Sequence, residues 1–432
     1  MGVRIAVVGG GSTYTPELVE GFAVRNSRLP VDELVLLDPD PERVEIVGGL
    51  ARRMLHRLGW PGRLILTPNA DAAIDGADFV VVQLRVGGQA ARFLDETVPP
   101  RFGSIGQETT GAGGFAKALR TVPVVLDIAE RAARRAAPGH WIVDFTNPVG
   151  IVSQALLDAG HRAIGLCNVA IGFQRGFAER FGVTPEQVEL EHVGLNHLTW
   201  IRAVRVDGVD RLPEILANDA ASIADDVGLP VELVRALGAI PSYYLRYYYL
   251  FETVLADQRM DGHGTRAEEV IEIERKLLEM YKDPKLDEKP ALLATRGGAF
   301  YSEAAAQLIT SLHDGAGDVQ VVNVRNEGAL PDVAADAVVE IPARIDRDGA
   351  HPLPLRPLDP DMLGLVQAAK AYEMLTIEAA RSGDRKVALR ALMANPLVRN
   401  WDIAHPLLEE LLRVNEALLP QFATAGVHPT GQ

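Results

Sequence analysis

One thiol and one imidazole in this chain have the chemistry to hold a transition metal. Cys167, the only cysteine, closes the apolar run Ile164-Gly165-Leu166, and His197 stands thirty residues on in Gly194-Leu195-Asn196-His197-Leu198. A thiolate and a neutral imidazole are suitable ligands for a divalent cation, and a pair of protein ligands leaves positions open for substrate oxygens. Each residue alone reads equally well as structure, since an isolated cysteine in an apolar strand packs like a small hydrophobe. The rest of the sequence has to decide.

A second constellation suits a nucleotide. Val3-Arg4-Ile5-Ala6-Val7-Val8 reads as a buried parallel strand, Gly9-Gly10-Gly11-Ser12-Thr13 follows at once, and helical spacing begins at Pro16. Strand, glycine turn and helix form the context a dinucleotide fingerprint requires: glycines let the backbone approach a pyrophosphate, and the helix N-terminus offers it unpaired amides. Tyr14 takes the place of the third glycine. A second strand, 33–37, ends in Asp38, where a carboxylate can hold the ribose hydroxyl pair; an aspartate there favours NAD and repels the extra phosphate of NADP. Gly9, Gly11, Ser12, Thr13, Asp38 and Gln83 are therefore the expected cofactor contacts.

The elements that must position these residues follow a doubly wound pattern. Further strands are expected at 78–83, 141–145 and 164–167, and ligands of such sheets bind beyond the carboxyl ends of the strands. Arg92, Gln107, Glu108, Asn147, Cys167 and Asn168 all fall on segments leaving those ends. Between two of the strands, 86–114 reads as a long glycine-rich segment. In the second half, 173–181 has helical spacing and 188–206 looks like paired strands carrying His197. Residues 241–249 hold five tyrosines and read as a helix, with the rings in a core or an interface. Arg266 opens a charged helix to about 281, 282–290 reads as a loop, and 295–298 as a turn. A helix over 302–312, a strand over 319–324 and a largely helical segment from 362 to about 422 complete the chain. The fold class is α/β: a Rossmann-like NAD-binding domain over 1–166, and an α+β substrate, metal and oligomerisation domain over 167–432.

Composition narrows the partners. A formal charge of -15 argues against nucleic acid, whose binders carry a basic footprint, but leaves room for a small anion gathered by local arginines. A single cysteine excludes an intrachain disulfide and fits a reducing compartment. Met1 leads almost directly into a strand, which leaves no room for a signal peptide, and no apolar run reaches membrane-spanning length. The expected location is the cytoplasm.

Five motifs in this order and spacing resemble glycoside hydrolase family 4, the NAD-dependent glycosidases, over essentially the whole chain. They are Gly9-Gly10-Gly11-Ser12-Thr13-Tyr14-Thr15-Pro16-Glu17, Gly106-Gln107-Glu108-Thr109-Thr110-Gly111, Phe145-Thr146-Asn147-Pro148, Gly165-Leu166-Cys167-Asn168-Val169 and Gly194-Leu195-Asn196-His197-Leu198. The resemblance implies a fold like lactate and malate dehydrogenases with an extended substrate domain, a homodimer or homotetramer, NAD, and a divalent metal, commonly manganese (Mn2+). It also implies a glycoside substrate, often 6-phosphorylated. Matched by motif, Cys167 and His197 correspond to metal ligands, Tyr244 to the catalytic base and Glu108 to a carboxylate assisting it. Arg92, Asn147 and Arg266 correspond to substrate contacts, with Arg266 near a sugar phosphate. Asn168 is the residue the family's phospho-β-glucosidases often carry after the metal cysteine, where the α-enzymes have Asp; Ala170 departs from the usual proline.

The chemistry so implied is the NAD-dependent exception among glycosidases. Oxidation at sugar C3 acidifies the C2 proton, a base removes it, the C1 oxygen is eliminated, water adds, and the hydride returns. Free tyrosine, with a pKa of about 10, is a poor base near neutrality unless a cation stabilises its anion. The charge of Glu108 would work against that, so its help is expected through a water relay. Two other readings use the same fold. A 2-hydroxyacid dehydrogenase would need a His–carboxylate pair and no metal, and a nucleotide-binding regulator would need no Cys, His and Tyr set.

Overall fold

The computed structural model describes residues 2–260, 262, 264–297 and 300–423; Met1 and Gly298, on which two of the expectations fall, lie outside them. Val3–Val8 (β1), Val31–Leu37 (β2), Arg63–Thr67 (β3), Phe79–Val82 (β4), Trp141–Asp144 (β5) and Ala163–Gly165 (β6) run parallel in the order β6-β5-β4-β1-β2-β3. This is the dinucleotide-binding order, with its topological switch between β1 and β4. The apolar runs are unbroken because both faces of the sheet are covered. Ile5, Val7, Leu34 and Leu36 enter the core on one side, and Ala6, Val8, Val35 and Leu37 enter the core on the other.

The hairpin Val188–Leu195 (β7) and Leu198–Val206 (β8) forms a separate sheet with the short strands Val209–Asp210 (β9) and Ile240–Pro241 (β10). The chain then returns to the first sheet. Asp318–Arg325 (β11) pairs antiparallel with β6 through Asn323 and Gly165, and Val338–Asp346 (β12) and Gly349–Pro352 (β13) follow. Among the described residues that sheet has nine strands, so strands from 167–432 complete a sheet begun in 1–166.

The glycine-rich segment 86–114 is mostly helical: helix Gly88–Phe102 runs through it, and helix Gly111–Arg135 begins at its end. Gly87 is left-handed before the first turn of the former, and Pro99 and Pro100 lie in its last. One expectation is corrected. The tyrosine-rich stretch is a 3₁₀ turn, Tyr243–Leu245, then the single helical turn Arg246–Tyr249. The expected hairpin, the helix Arg266–Tyr281 and the C-terminal helices are all present.

Candidate active site

A cleft of about 1420 Å³ opens where the strands end. At one end lies the glycine turn that follows β1. Gly9 is left-handed (φ 89°), and the Gly11 N–H donates to Asp38 Oδ2 at 3.0 Å. A β-carbon on Gly11 would stand 2.6 Å from that oxygen, so only glycine lets the turn approach the carboxylate. Gly9, Ser12, Asp38 and Gln83 line the cleft; the Gln83 amide donates to Gly9 O and to Thr15 Oγ1. Thr13 does not line it: its side chain is fully buried, and its carbonyl accepts from the Tyr281 hydroxyl at 2.7 Å. Tyr14 does, with the Arg296 guanidinium 5.5 Å from its ring centre.

At the other end Cys167 and His197 lie just behind the wall, both buried. Cys167 leaves the end of β6 and caps helix Asn168–Phe181, whose first residue lines the cleft. His197 sits in the tight turn between β7 and β8 with φ 62°, a backbone region that costs a non-glycine residue roughly 1–2 kcal/mol. The turn lays its ring flat on Tyr244, with centroids 3.7 Å apart and planes 10° from parallel. Its Nδ1 pairs with Thr109 Oγ1 at 2.9 Å, while its Nε2 is buried without a hydrogen-bond partner. Burial pushes the His197 pKa down to about 4, which keeps the ring neutral and able to bind a metal. Burial also drives the Cys167 thiol well up, with the Glu340 charge adding to it and hydrogen bonds from Val169, Tyr301 and Asn196 opposing. The Tyr244 hydroxyl is driven up too, by burial first and then by the neighbouring Cys167. The donor set fits a divalent cation: a soft sulfur, an imidazole lone pair with nothing else to bind, and the orphaned Asn147 Oδ1 nearby on the wall. Among the described residues no three His, Cys, Asp or Glu side chains gather as a cage.

Between the two ends, Glu108 collects cations. Lys117 Nζ stands 2.7 Å away, Arg92 Nε 3.3 Å away, and Arg85 pairs with the same carboxylate. Burial would raise the Glu108 pKa, but these three charges outweigh it and hold the group well below the usual range. The same Arg92 Nε donates to Glu96 at 2.7 Å, and Glu96 also accepts from the Ala267 N–H in the first turn of helix Arg266–Tyr281. Thr265 and Glu268 cap that helix reciprocally, setting Arg266 on the cleft wall, where it bonds Glu269 and Thr295 O. Farther along, Glu274 bridges Arg43 and Arg296.

Comparison with known proteins places the chain in a family. The description "Family 4 glycosyl hydrolase" matches residues 4–183, and "Family 4 glycosyl hydrolase C-terminal domain" matches residues 192–398. The chain belongs to glycosyl hydrolase family 4. Among its relatives, a Bacillus subtilis (strain 168) protein named "Probable 6-phospho-beta-glucosidase" is 42% identical over 98% of both chains. The 6-phospho-beta glucosidase of Thermotoga maritima, solved with manganese, NAD+ and glucose-6-phosphate, superposes with a TM-score of 0.91 at 37% identity, covering 96% of this chain and 99% of that one. Malate dehydrogenase from Plasmodium falciparum shares the fold at 16% identity and a TM-score of 0.55, covering 88% of this chain and 98% of that one.

Of the expected site residues in this family 4 chain, Gly9, Ser12, Asp38 and Gln83 and, farther along, Arg92, Glu108, Asn147, Asn168, Tyr244 and Arg266 share one cleft. Sequence reasoning missed Arg85, Lys117 and Arg296. Arg85 could have been found three residues past the end of β4, and Lys117 as the lone charge within the apolar run Phe115–Leu119. Tyr301, stacked on Phe145 with centroids 5.8 Å apart and bonded to Cys167, left no signal that the sequence alone would reveal.

Proposed function

We propose that this chain is a 6-phospho-β-glucosidase that works with NAD and a divalent cation, manganese being the expected ion. The observation that carries the reading is the meeting of Cys167, His197 and Tyr244 at one end of a cleft whose other end is a dinucleotide turn. Bound NAD would supply a hydride acceptor for the sugar, and a bound divalent cation would supply Lewis-acid stabilisation for developing negative charge. Asp38 holds the adenosine ribose. Cys167 Sγ and His197 Nε2 would hold the cation. Tyr244 Oη takes the proton from C2, in a site where burial keeps the hydroxyl neutral until positive charge lies beside it. Glu108, so firmly ionised, holds Arg92 against the sugar and orders a bridging water. Asn147 contacts the sugar hydroxyls, and Arg266 exchanges its Glu269 partner for the 6-phosphate. Asn168 has no acidic proton to give, so the β-linked leaving group takes its proton from water. In this reading the protein is cytoplasmic and a homodimer or homotetramer, which light scattering checks.

The dehydrogenase reading needs a His–carboxylate pair on the substrate. The buried pair His192–Glu340, 3.0 Å apart, is sealed in the core, and His197 pairs with a hydroxyl instead. Incubation with an aryl 6-phospho-β-glucoside, NAD+ and Mn2+ tests the proposal. Release of the aglycone without accumulation of NADH is the expected result. Steady NADH production would favour the dehydrogenase, and silence would refute both.

A further inference from the structure

Thr109 and Gln107 have no role in the mechanism above, yet Thr109 Oγ1 lies 2.9 Å from His197 Nδ1 and both Thr109 and Thr110 bond to Gln107. We infer that Thr109 locks the His197 imidazole as the Nδ1–H tautomer, so that Nε2 presents a bare lone pair to the cation, and that Gln107 sets the direction of the Thr109 hydroxyl. The inference deepens the proposed function and rests on its assignment of His197 as a metal ligand.

The chain of donors runs one way. The Gln107 side-chain atom facing the loop takes the backbone N–H groups of Thr109 and of Thr110, the latter at 2.7 Å. Backbone N–H groups only donate, so that atom is the amide oxygen, not the nitrogen. The Thr109 hydroxyl lies 2.8 Å from the same oxygen, nearer than the Thr110 hydroxyl at 3.1 Å, and donates its single proton there. Thr109 Oγ1 then has only lone pairs to offer His197 Nδ1 at 2.9 Å, and Nδ1 must carry the ring proton. The opposite arrangement would turn the Thr109 proton toward Nδ1 and place a proton on Nε2, a buried atom with no acceptor. Orphaned buried N–H groups are rarer than under-used lone pairs. A metal-bound histidine depends on the partner of its other nitrogen for tautomer and aim. Here that partner is a hydroxyl whose own proton is already committed. The left-handed turn at His197 fixes the backbone, and Thr109 and the Tyr244 ring fix the side chain.

The test has two parts. In metal-free protein with 15N-labelled histidine, the ring-nitrogen shifts of His197, assigned by their disappearance in His197→Asn, should report a proton on Nδ1. A proton on Nε2 overturns the inference. In the second part, Mn2+ affinity is measured by electron paramagnetic resonance with NAD+ present, for wild type, Thr109→Val and Thr109→Ser. Valine keeps the shape without the acceptor and should weaken Mn2+ binding roughly 10- to 100-fold, with NAD+ affinity unchanged as the check on folding. Serine restores the acceptor and should recover most of the affinity. Equal Mn2+ affinity in wild type and Thr109→Val, or equal losses in both variants, overturns the inference. A wild type that binds no Mn2+ overturns the metal assignment itself.

Discussion

Glu108→Gln is the most informative perturbation of this site, because the wild-type carboxylate neutralises three cations at once. Removing one partner of a buried ion pair costs about 3–5 kcal/mol when the other charge has no escape. Here each cation has one. Arg92 keeps Glu96 at 2.7 Å, and Arg85, 27% exposed in its side chain, rehydrates from the cleft. Lys117, whose side chain is 3% exposed, escapes by losing its proton. Its pKa already lies at about 7, lowered by burial and by Arg85 against the pull of Glu108, so without Glu108 it falls below 7. At pH 8 the variant should then be destabilised by only about 1–3 kcal/mol, the cost of leaving a buried polar group under-satisfied. Below pH 7 the sign is fixed by proton counts. Unfolded Lys117 is protonated throughout, the wild-type fold holds the same proton, and the variant fold does not. Lower pH therefore penalises only the variant fold, and the gap should widen by up to about 1.4 kcal/mol per pH unit. Urea unfolding of both proteins at equal concentration and at pH 8.5, 7 and 6 measures the gap. A gap that stays constant or narrows on acidification would refute the account of the cluster.

Three further outcomes follow from the placement of the site residues. Tyr244→Phe should lower kcat on the order of 10²- to 10⁴-fold and leave NAD+ and Mn2+ affinities within a few-fold. A C2-deuterated substrate, which loses its label in water with wild type, tests the same role, and label retained by wild type would remove Tyr244 from it. Gly11→Ala places a β-carbon 2.6 Å from Asp38 Oδ2 and should weaken NAD+ binding at least about tenfold, or about 1.4 kcal/mol, by fluorescence titration. Arg266→Ala should raise KM for the phosphorylated aryl glucoside roughly tenfold or more and leave the weak turnover of the unphosphorylated one unchanged. Equal effects on both substrates would move the phosphate elsewhere.

The sheet was legible because its apolar runs stop abruptly. Val8, Leu37 and Val82 are each followed by glycine or a polar residue, and those residues, Gly9, Asp38 and Gln83, line the cleft. In 86–114 glycine and proline instead mark the ends of helix Gly88–Phe102, an element the glycine-rich composition did not reveal. Cys167 and His197 could be named from their types and flanks, but their meeting depends on β6 and the β7–β8 hairpin converging on Tyr244, a contact with no local periodicity. The three cations around Glu108 were the least visible. Each is contributed by a different segment, and a cation looks solvated in sequence until packing removes its water.

A chain with a formal charge of -15 whose proposed ligands, NAD and a sugar phosphate, are both anionic presents an electrostatic problem. Distance resolves it. At physiological ionic strength exposed charges are screened beyond about 8 Å, so the acidic surface counts for little inside the cleft, where cations outnumber carboxylates on the wall. Those cations are held in place by fewer anions: Glu108 faces three, Glu274 faces Arg43 and Arg296, and Glu269 faces Arg266. An incoming phosphate thus meets side chains whose rotamers are already fixed, so less conformational entropy is lost on binding than free arginines would lose. The pairing is least unequal at Arg266, one cation to one carboxylate on an exposed helix start, where a ligand must displace Glu269.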